Sequence, residues 1–136
     1  SQGLGAINLK PAITEKYQQS LNVLDLKKTS WSERIQAGWH PDTCSPKERE
    51  ALESLCAIYL MHYSPHRGGN SVAKFHLGNG AKLHRINWAG DLSKKGIKQS
   101  AGLMVNYLYD LEKVEDNHER FVNGEIIHSR SVSQLI

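Results

Sequence analysis

The run of residues 72–88 sets the strongest limit on the fold, because its pattern predicts a tight reversal of the chain. Gly78, Asn79 and Gly80 have the composition of a hairpin turn, and apolar residues flank them on both sides. Such a turn pairs the residues of the two arms in register. The pairs predicted on the apolar face are Leu77 with Ala81, Phe75 with Leu83, and Ala73 with Arg85.

The opposite face of this predicted hairpin is polar. A histidine in the middle of a strand is most often a structural or exposed residue, so the pattern alone makes His76 only a candidate for catalysis. The side chains on the polar face are Lys74, His76, Lys82 and His84.

Two stretches before residue 40 predict helices. Apolar residues recur every fourth position in residues 13–22, which is the spacing of one helix face. Ser30 and Glu33 have the spacing of a capping box, in which the serine oxygen and the glutamate bind free backbone amides at the helix start. We expect a short helix to begin there and to end at Gly38.

The clearest helix signal covers residues 46–62. Ser45 is the predicted N-cap, and Glu48 completes a second capping box. Pro46 suits the first turn, where its missing amide hydrogen would have no partner in any case. The buried stripe at positions i, i+3, i+4 and i+7 consists of Leu52, Leu55, Cys56 and Tyr59.

A lysine-rich segment, residues 91–102, precedes another predicted helix. Cations are disfavoured at a helix start, where the macrodipole already places partial positive charge. A bound phosphate would explain the lysines, and simple exposure to water explains them equally well. Tyr109 lies on a face of this helix that mixes polar and apolar residues. It is either a core residue or a residue whose hydroxyl reaches a polar site. The apolar stripe consists of Met104, Tyr107, Leu108 and Leu111.

The last part of the chain is charged up to a predicted stop at Gly124. Residues 125–136 then carry several apolar side chains, and we expect a short terminal helix or strand that packs on the core.

Composition places the chain among globular proteins. A chain of 136 residues fits one domain, which buries roughly two-thirds of the surface exposed in the unfolded chain. No apolar run approaches the roughly 18 to 20 residues that a membrane span requires. The net charge of +3 with seven histidines hints at an anionic partner, and a basic nucleic-acid module rests on lysine content alone.

The two cysteines and one histidine pair are candidate chemical sites. Cys44 and Cys56 are too few for a disulfide framework and lack a CxxC spacing, so we expect plain thiols in a reducing compartment. The first residues do not have the charged-then-apolar pattern of a leader, so we expect no secretory signal there. His62 and His66 are four residues apart, but Pro65 interrupts the helix between them, so no metal is expected.

Four strings in the second half of the chain resemble the C-terminal part of malonyl-CoA decarboxylase. They are FHLGNGA (Phe75 to Ala81), RINW (Arg85 to Trp88), DLSKKG (Asp91 to Gly96) and QSAGLMVNYLYDL (Gln99 to Leu111). The resemblance is continuous from about Leu55 to the last residue. It implies an α+β fold, a mixed sheet flanked by helices like part of the N-acetyltransferase (GNAT) fold, and a chain that is the C-terminal portion of a catalytic domain.

The resemblance also implies a lyase of fatty acid metabolism that converts malonyl-CoA to acetyl-CoA and carbon dioxide without a metal or prosthetic group. In this family the histidine of FHL-x-NGA is the general acid, and the matching residue is His76. Histidine suits the task because its unperturbed pKa lies near neutral pH. Tyr109 matches a tyrosine near the family's site.

The remaining site expectations concern coenzyme A. The start of the chain looks like the family's QGL segment, although Ala6 and Lys10 replace its later glycines. The family's Ser-Pro-x-Pro-Gly-Phe segment has no counterpart here, since neither Ser45-Pro46 nor Ser64-Pro65 is followed by Pro-Gly-Phe. The residues expected to bind substrate are Gln2, Gly3, Leu4, Gly5, Ser93, Lys98 and Ser100.

Three functional classes follow from these observations. The first is malonyl-CoA decarboxylase, as a fragment or shortened copy, and the alternative is a coenzyme A binding module without catalysis. The third is the nucleic-acid module, which lacks any basic stripe interleaved with aromatic residues. We expect a homo-oligomer with no nucleic-acid or membrane partner, in the cytoplasm or an organelle matrix.

Overall fold

Helices surround one antiparallel pair of strands in the computed structural model, which describes residues 10–63 and 71–136. This arrangement confirms the α+β class. None of the helices in these residues is long and apolar enough to cross a membrane. The elements in chain order are α1 Pro11–Val23, α2 Trp31–Gln36, α3 Pro46–Ile58, a π-helix Tyr59–Tyr63, α4 Ser71–Gly78, β1 Lys82–Asn87, α5 Lys94–Ser100, β2 Met104–Leu108, α6 Val114–Val122 and α7 Arg130–Ser133.

Helices α2 and α3 begin where their cap residues predict. The Ser30 side chain accepts a hydrogen bond from the Glu33 amide at 3.2 Å. At α3 the box is reciprocal, because the Ser45 oxygen accepts from the Glu48 amide and the Glu48 carboxylate accepts from the Ser45 amide. The predicted helices at residues 13–22, after Ser30 and after Ser45 are therefore confirmed, and the last continues through the π-helix.

The predicted hairpin at residues 72–88 is wrong, because its first arm is helix α4. The amide of Ala81 donates to the carbonyl of His76 at 3.0 Å, and the amide of Gly80 donates to that of Leu77 at 3.1 Å. This pair of bonds is the Schellman motif, and Gly80 takes the left-handed conformation that it requires, with φ of +89°. The Gly-Asn-Gly triplet thus ends a helix instead of turning a hairpin.

The predicted helix at residues 102–111 is also wrong. The helix forms earlier, in the lysine-rich segment, and ends at Ala101, whose φ is +56°. Residues 104–108 instead form strand β2, which pairs antiparallel with β1, for example Leu83 with Tyr107. The strand turns Val105 and Tyr107 inward, whereas Met104, Asn106 and Leu108 are exposed.

The core lies where β1 packs between the N-terminal helices and the C-terminal segment. Leu83 of β1 is fully buried with Leu24, Leu77 and Val132. The amide of Leu83 donates to the carbonyl of Ile127, and its carbonyl accepts from the amide of Ser129, both at 2.8 Å. These bonds and the buried Val132 of α7 confirm that the C-terminal segment packs on the core.

Candidate active site

His76 and Tyr109 come from different elements and meet at hydrogen-bonding distance. His76 lies in the last turn of α4, and Tyr109 follows the last residue of β2. The Nδ1 atom of His76 lies 2.7 Å from the Tyr109 hydroxyl. His76 is half-buried and Tyr109 is 42% exposed, so both side chains reach the surface. The two candidate catalytic residues therefore form one polar pair.

The turn that follows His76 is held by helix α6. The buried Asn117 side chain donates from Nδ2 to the carbonyl of Gly80 at 3.1 Å. Nδ1 of His118 is hydrogen-bonded to the carbonyl of Gly78, so this nitrogen carries the proton. A Cβ on Gly80 would lie 2.3 Å from the carbonyl oxygen of Val114. Helix α6 thus fixes the end of α4 and, with it, the backbone of His76.

Aromatic rings surround the His76 imidazole. The ring of Tyr107 is stacked on it, with centroids 4.4 Å apart and planes inclined by 20°. Phe75 and Tyr109 meet it edge-on, with centroids at 5.2 Å and 5.9 Å. Burial, with smaller contributions from Cys56 and Tyr109, raises the pKa of Tyr107 to about 12. Tyr107 is therefore uncharged near neutral pH, and its ring lines one side of the site.

Sequence reasoning missed Tyr107, Asn117 and His118 as parts of this site. Tyr107 and Tyr109 have the spacing of two residues that share a strand face, but the stretch also fits a helical stripe. Asn117 and His118 lie in a charged run whose pattern shows no reason for a buried contact.

The predicted coenzyme A residues of the lysine-rich segment make contacts within α5 and its flanks. The Ser93 oxygen caps the helix by accepting from the amide of Gly96 at 3.0 Å. The Ser100 hydroxyl is bonded to the carbonyls of Gly96 and Leu103, at 2.9 Å and 3.1 Å. Lys98 is exposed. A phosphate site in this segment remains a prediction.

Asp91 precedes this helix and organises its entry. Its carboxylate accepts from the amide of Ser93 at 3.0 Å. Hydrogen bonds from the side chain and amide of Ser93 lower the pKa of the Asp91 carboxyl. A Cβ on Gly96 would lie 2.3 Å from that carboxylate, so glycine is required for this close approach.

Several other site predictions fall partly or wholly outside the described residues. Gln2, Gly3, Leu4 and Gly5 lie there, as does His66 of the histidine pair. Burial, then the neighbouring His128 and Lys10, lowers the pKa of His62. Within residues 10–63 and 71–136, no group of three or more His, Cys, Asp or Glu side chains is placed to hold a metal ion. Cys44 and Cys56 are free thiols, as expected.

Comparison with known proteins identifies consistent relatives. Residues 7–136 match the family model of the malonyl-CoA decarboxylase C-terminal domain. Mitochondrial malonyl-CoA decarboxylase from Anser anser anser is 46% identical over 87 residues, which are 62% of this chain and 17% of that protein. The Rattus norvegicus protein of the same name is 46% identical over 89 residues, which are 61% of this chain and 18% of that protein.

Solved structures agree with this match. The crystal structure of malonyl-CoA decarboxylase from Cupriavidus metallidurans is 34% identical with a TM-score of 0.65, covering 88% of this chain and 33% of that one. The structure from Agrobacterium vitis is 36% identical with a TM-score of 0.64, covering 96% of this chain and 30% of that one. The chain therefore spans a third or less of the length of these relatives.

Proposed function

Because the chain belongs to the malonyl-CoA decarboxylase family, we propose that its full-length protein converts malonyl-CoA to acetyl-CoA and carbon dioxide. The substrate and the reaction come from the names of the relatives, of which this chain spans only a part.

The reaction breaks the bond between the free carboxylate carbon and the α-carbon of the malonyl group. The electron pair of that bond passes into the thioester and forms an enolate, while carbon dioxide leaves. The α-carbon then takes a proton and becomes the methyl group of acetyl-CoA. A site for this reaction must stabilise negative charge on the thioester oxygen and hold a proton donor beside the α-carbon.

His76 is the proposed proton donor, and its hydrogen bond to Tyr109 is the observation that carries the assignment. If the Tyr109 hydroxyl donates to Nδ1, the ring proton resides on Nε2, the nitrogen that points away from Tyr109. In the part of the chain that the structure describes, Nε2 has no hydrogen-bond partner, and it is the nitrogen that we propose meets the substrate. When Nε2 gives its proton to the α-carbon, Nδ1 takes the hydroxyl proton of Tyr109, so the imidazole stays neutral. The exposed Tyr109 then recovers a proton from water.

The wider setting of the site is part of the same proposal. We propose that the 136 residues form a single domain, the C-terminal portion of a GNAT-like catalytic domain whose sheet and helices hold coenzyme A in an open wedge. The coenzyme A contacts come from Gln2, Gly3, Leu4 and Gly5 and from Ser93, Lys98 and Ser100. The reaction uses no metal or prosthetic group.

The cellular setting is inferred from the two thiols and from the relatives. We propose a homo-oligomer without nucleic-acid or membrane partners in a reducing compartment, either the cytoplasm or an organelle matrix. The two free thiols support the reducing compartment. The word "mitochondrial" in the names of the relatives supports the matrix.

One feature of the sequence favours a second candidate, a coenzyme A binding module without turnover. The 136 residues contain no Ser-Pro-x-Pro-Gly-Phe segment, and in the family the serine of that segment takes part in catalysis. Binding without chemistry would use the same coenzyme A contacts.

The experiment that separates the two candidates combines a product assay with a binding titration on the full-length protein. Release of acetyl-CoA from malonyl-CoA, followed by a coupled assay, supports the decarboxylase. Calorimetric binding of coenzyme A with no acetyl-CoA formed supports the binding module. No binding and no turnover would contradict both.

A further inference from the structure

We infer that Tyr107 is a positioning residue for His76: its ring lies flat against the imidazole and holds the ring plane in which Nδ1 meets the Tyr109 hydroxyl. This inference rests on the proposed role of His76 in decarboxylation. Tyr107 acts through its ring face and not through its hydroxyl.

The ring geometry distinguishes Tyr107 from the other aromatic neighbours of His76. The Tyr107 plane is inclined by only 20° to the imidazole, whereas the planes of Phe75 and Tyr109 are inclined by 84° and 64°. A stacked ring covers a whole face of its partner, so rotation of the imidazole about its Cβ–Cγ bond would drive an edge into the Tyr107 ring. An edge-on neighbour imposes no such limit.

Tyr107 is itself held rigidly. It lies in β2 opposite Leu83, which is fully buried in the core. Tyr109 follows the last residue of β2, only two positions after Tyr107, and both side chains contact the His76 imidazole. The end of the strand therefore places a ring face and a hydroxyl against a side chain of helix α4.

The acid–base behaviour of Tyr107 fits this passive role. With a pKa of about 12, raised by burial first, its phenol keeps its proton throughout the neutral range. It does not compete with His76 as an acid. A neutral ring against an imidazole also adds no charge that would repel the malonyl carboxylate.

Three variants of the full-length protein test the inference by steady-state kinetics. Tyr107→Leu removes the ring face, and we expect kcat to fall about tenfold or more while the KM for malonyl-CoA changes by less than about twofold, because orientation and not binding is lost. Tyr107→Phe keeps the face, and we expect it to restore most of kcat. Leu108→Ala alters the exposed neighbour on the other strand face and serves as the matched control.

An independent measurement reports the stack itself. With ring-labelled histidine and the His76 signal assigned from a His76→Asn variant, the ring current of Tyr107 should displace the His76 resonances of the wild type and of Tyr107→Phe. In Tyr107→Leu the contribution of the stacked ring should be lost, so the His76 resonances should move away from their wild-type positions. The other histidine signals should stay in place, which shows that the variant is folded.

Each outcome decides a separate point. No ring-current displacement in the wild type would overturn the inference whether or not the protein is active. A wild-type kcat in Tyr107→Leu would also overturn the inference. An equal loss of kcat in Tyr107→Phe and Tyr107→Leu would overturn it too, because it would assign the effect to the hydroxyl. A displaced His76 signal in a wild type that makes no acetyl-CoA would instead overturn the proposed function on which the positioning role rests.

Discussion

The hydroxyl of Tyr109 lies 2.7 Å from Nδ1 of His76, although the two residues are 33 positions apart in the chain. The contact forms because α4 ends in a turn fixed by glycine and α6, and because β2 ends beside that turn. If that hydroxyl donates to Nδ1, the ring proton resides on Nε2, the nitrogen that is proposed to meet the substrate. The proposed chemistry therefore depends on where one helix and one strand stop.

Replacing Tyr109 with phenylalanine should lower kcat about tenfold or more, because removal of the hydroxyl leaves Nδ1 without the partner that sets the ring proton on Nε2. The ring contact with His76 remains, and the residue is partly exposed, so the melting temperature should stay close to that of the wild type. Kinetics and thermal unfolding of the full-length protein measure the two effects. An unchanged kcat would show that Tyr109 is not part of the catalytic pair.

Replacing Gly80 with alanine should destabilise the protein by more than the left-handed backbone alone explains. The added Cβ would lie 2.3 Å from the Val114 carbonyl oxygen, and φ is +89°. Gly38→Ala is a matched control, because its φ is +98° but nothing lies within 4 Å of its Cβ. We expect about 1–3 kcal/mol for the control and a larger loss at Gly80, measured by urea unfolding. Equal losses would mean that α6 does not crowd the turn.

Replacing Asn117 with alanine should cost about 1–3 kcal/mol of unfolding free energy, because the Gly80 carbonyl loses its buried partner. The exposed Asn106 of β2 offers the control, since Asn106→Ala removes an amide from the surface. Urea unfolding compares the two variants. If the two variants have the same free energy of unfolding, the proposed attachment of α6 to the end of α4 is contradicted.

Stability should fall as the pH rises above about 9. Burial raises the pKa of the Cys56 thiol from 9.0 to about 12, so between these values the unfolded chain loses a proton that the folded chain keeps. Deprotonation then favours unfolding. Tyr107 lowers the stability in the same way when the pH rises above 10.0, the ordinary pKa of a tyrosine. Urea unfolding at pH 8 and pH 10 should show the decrease. The decrease should be smaller in Cys56→Ala, and an identical decrease would contradict the assignment to this thiol.

Local signals in the sequence predicted where helices α2 and α3 start, but they did not predict the helix that contains His76. The boxes at Ser30 and Ser45 involve atoms within one turn, so the sequence contains all the information they need. The triplet of Gly78, Asn79 and Gly80 supplies left-handed backbone that serves a hairpin turn and a Schellman motif equally well. The buried spacing of Ala73 and Leu77 separates the two, but burial is known only once the core is known.

The same limit applies to the candidate site. Residues 104–108 fit a helical stripe by spacing, and only pairing with β1 makes them a strand. His76 and Tyr109 were singled out by resemblance to a family, and their contact depends on how a helix end meets a strand end. In the sequence, nothing distinguishes Asn117 from the other polar residues of a charged helix, because the carbonyl that it binds belongs to a turn 37 residues away.

The decarboxylase activity of His76→Asn in the full-length protein tests the central claim most directly. Asparagine keeps the size and polarity of the side chain but cannot donate a proton to carbon, and His84→Asn changes an exposed histidine of β1 as the matched control. We expect kcat for acetyl-CoA formation to fall about a hundredfold or more in His76→Asn and to stay at the wild-type value in His84→Asn. Equal kcat values in His76→Asn and the wild type would contradict the role of His76 as proton donor.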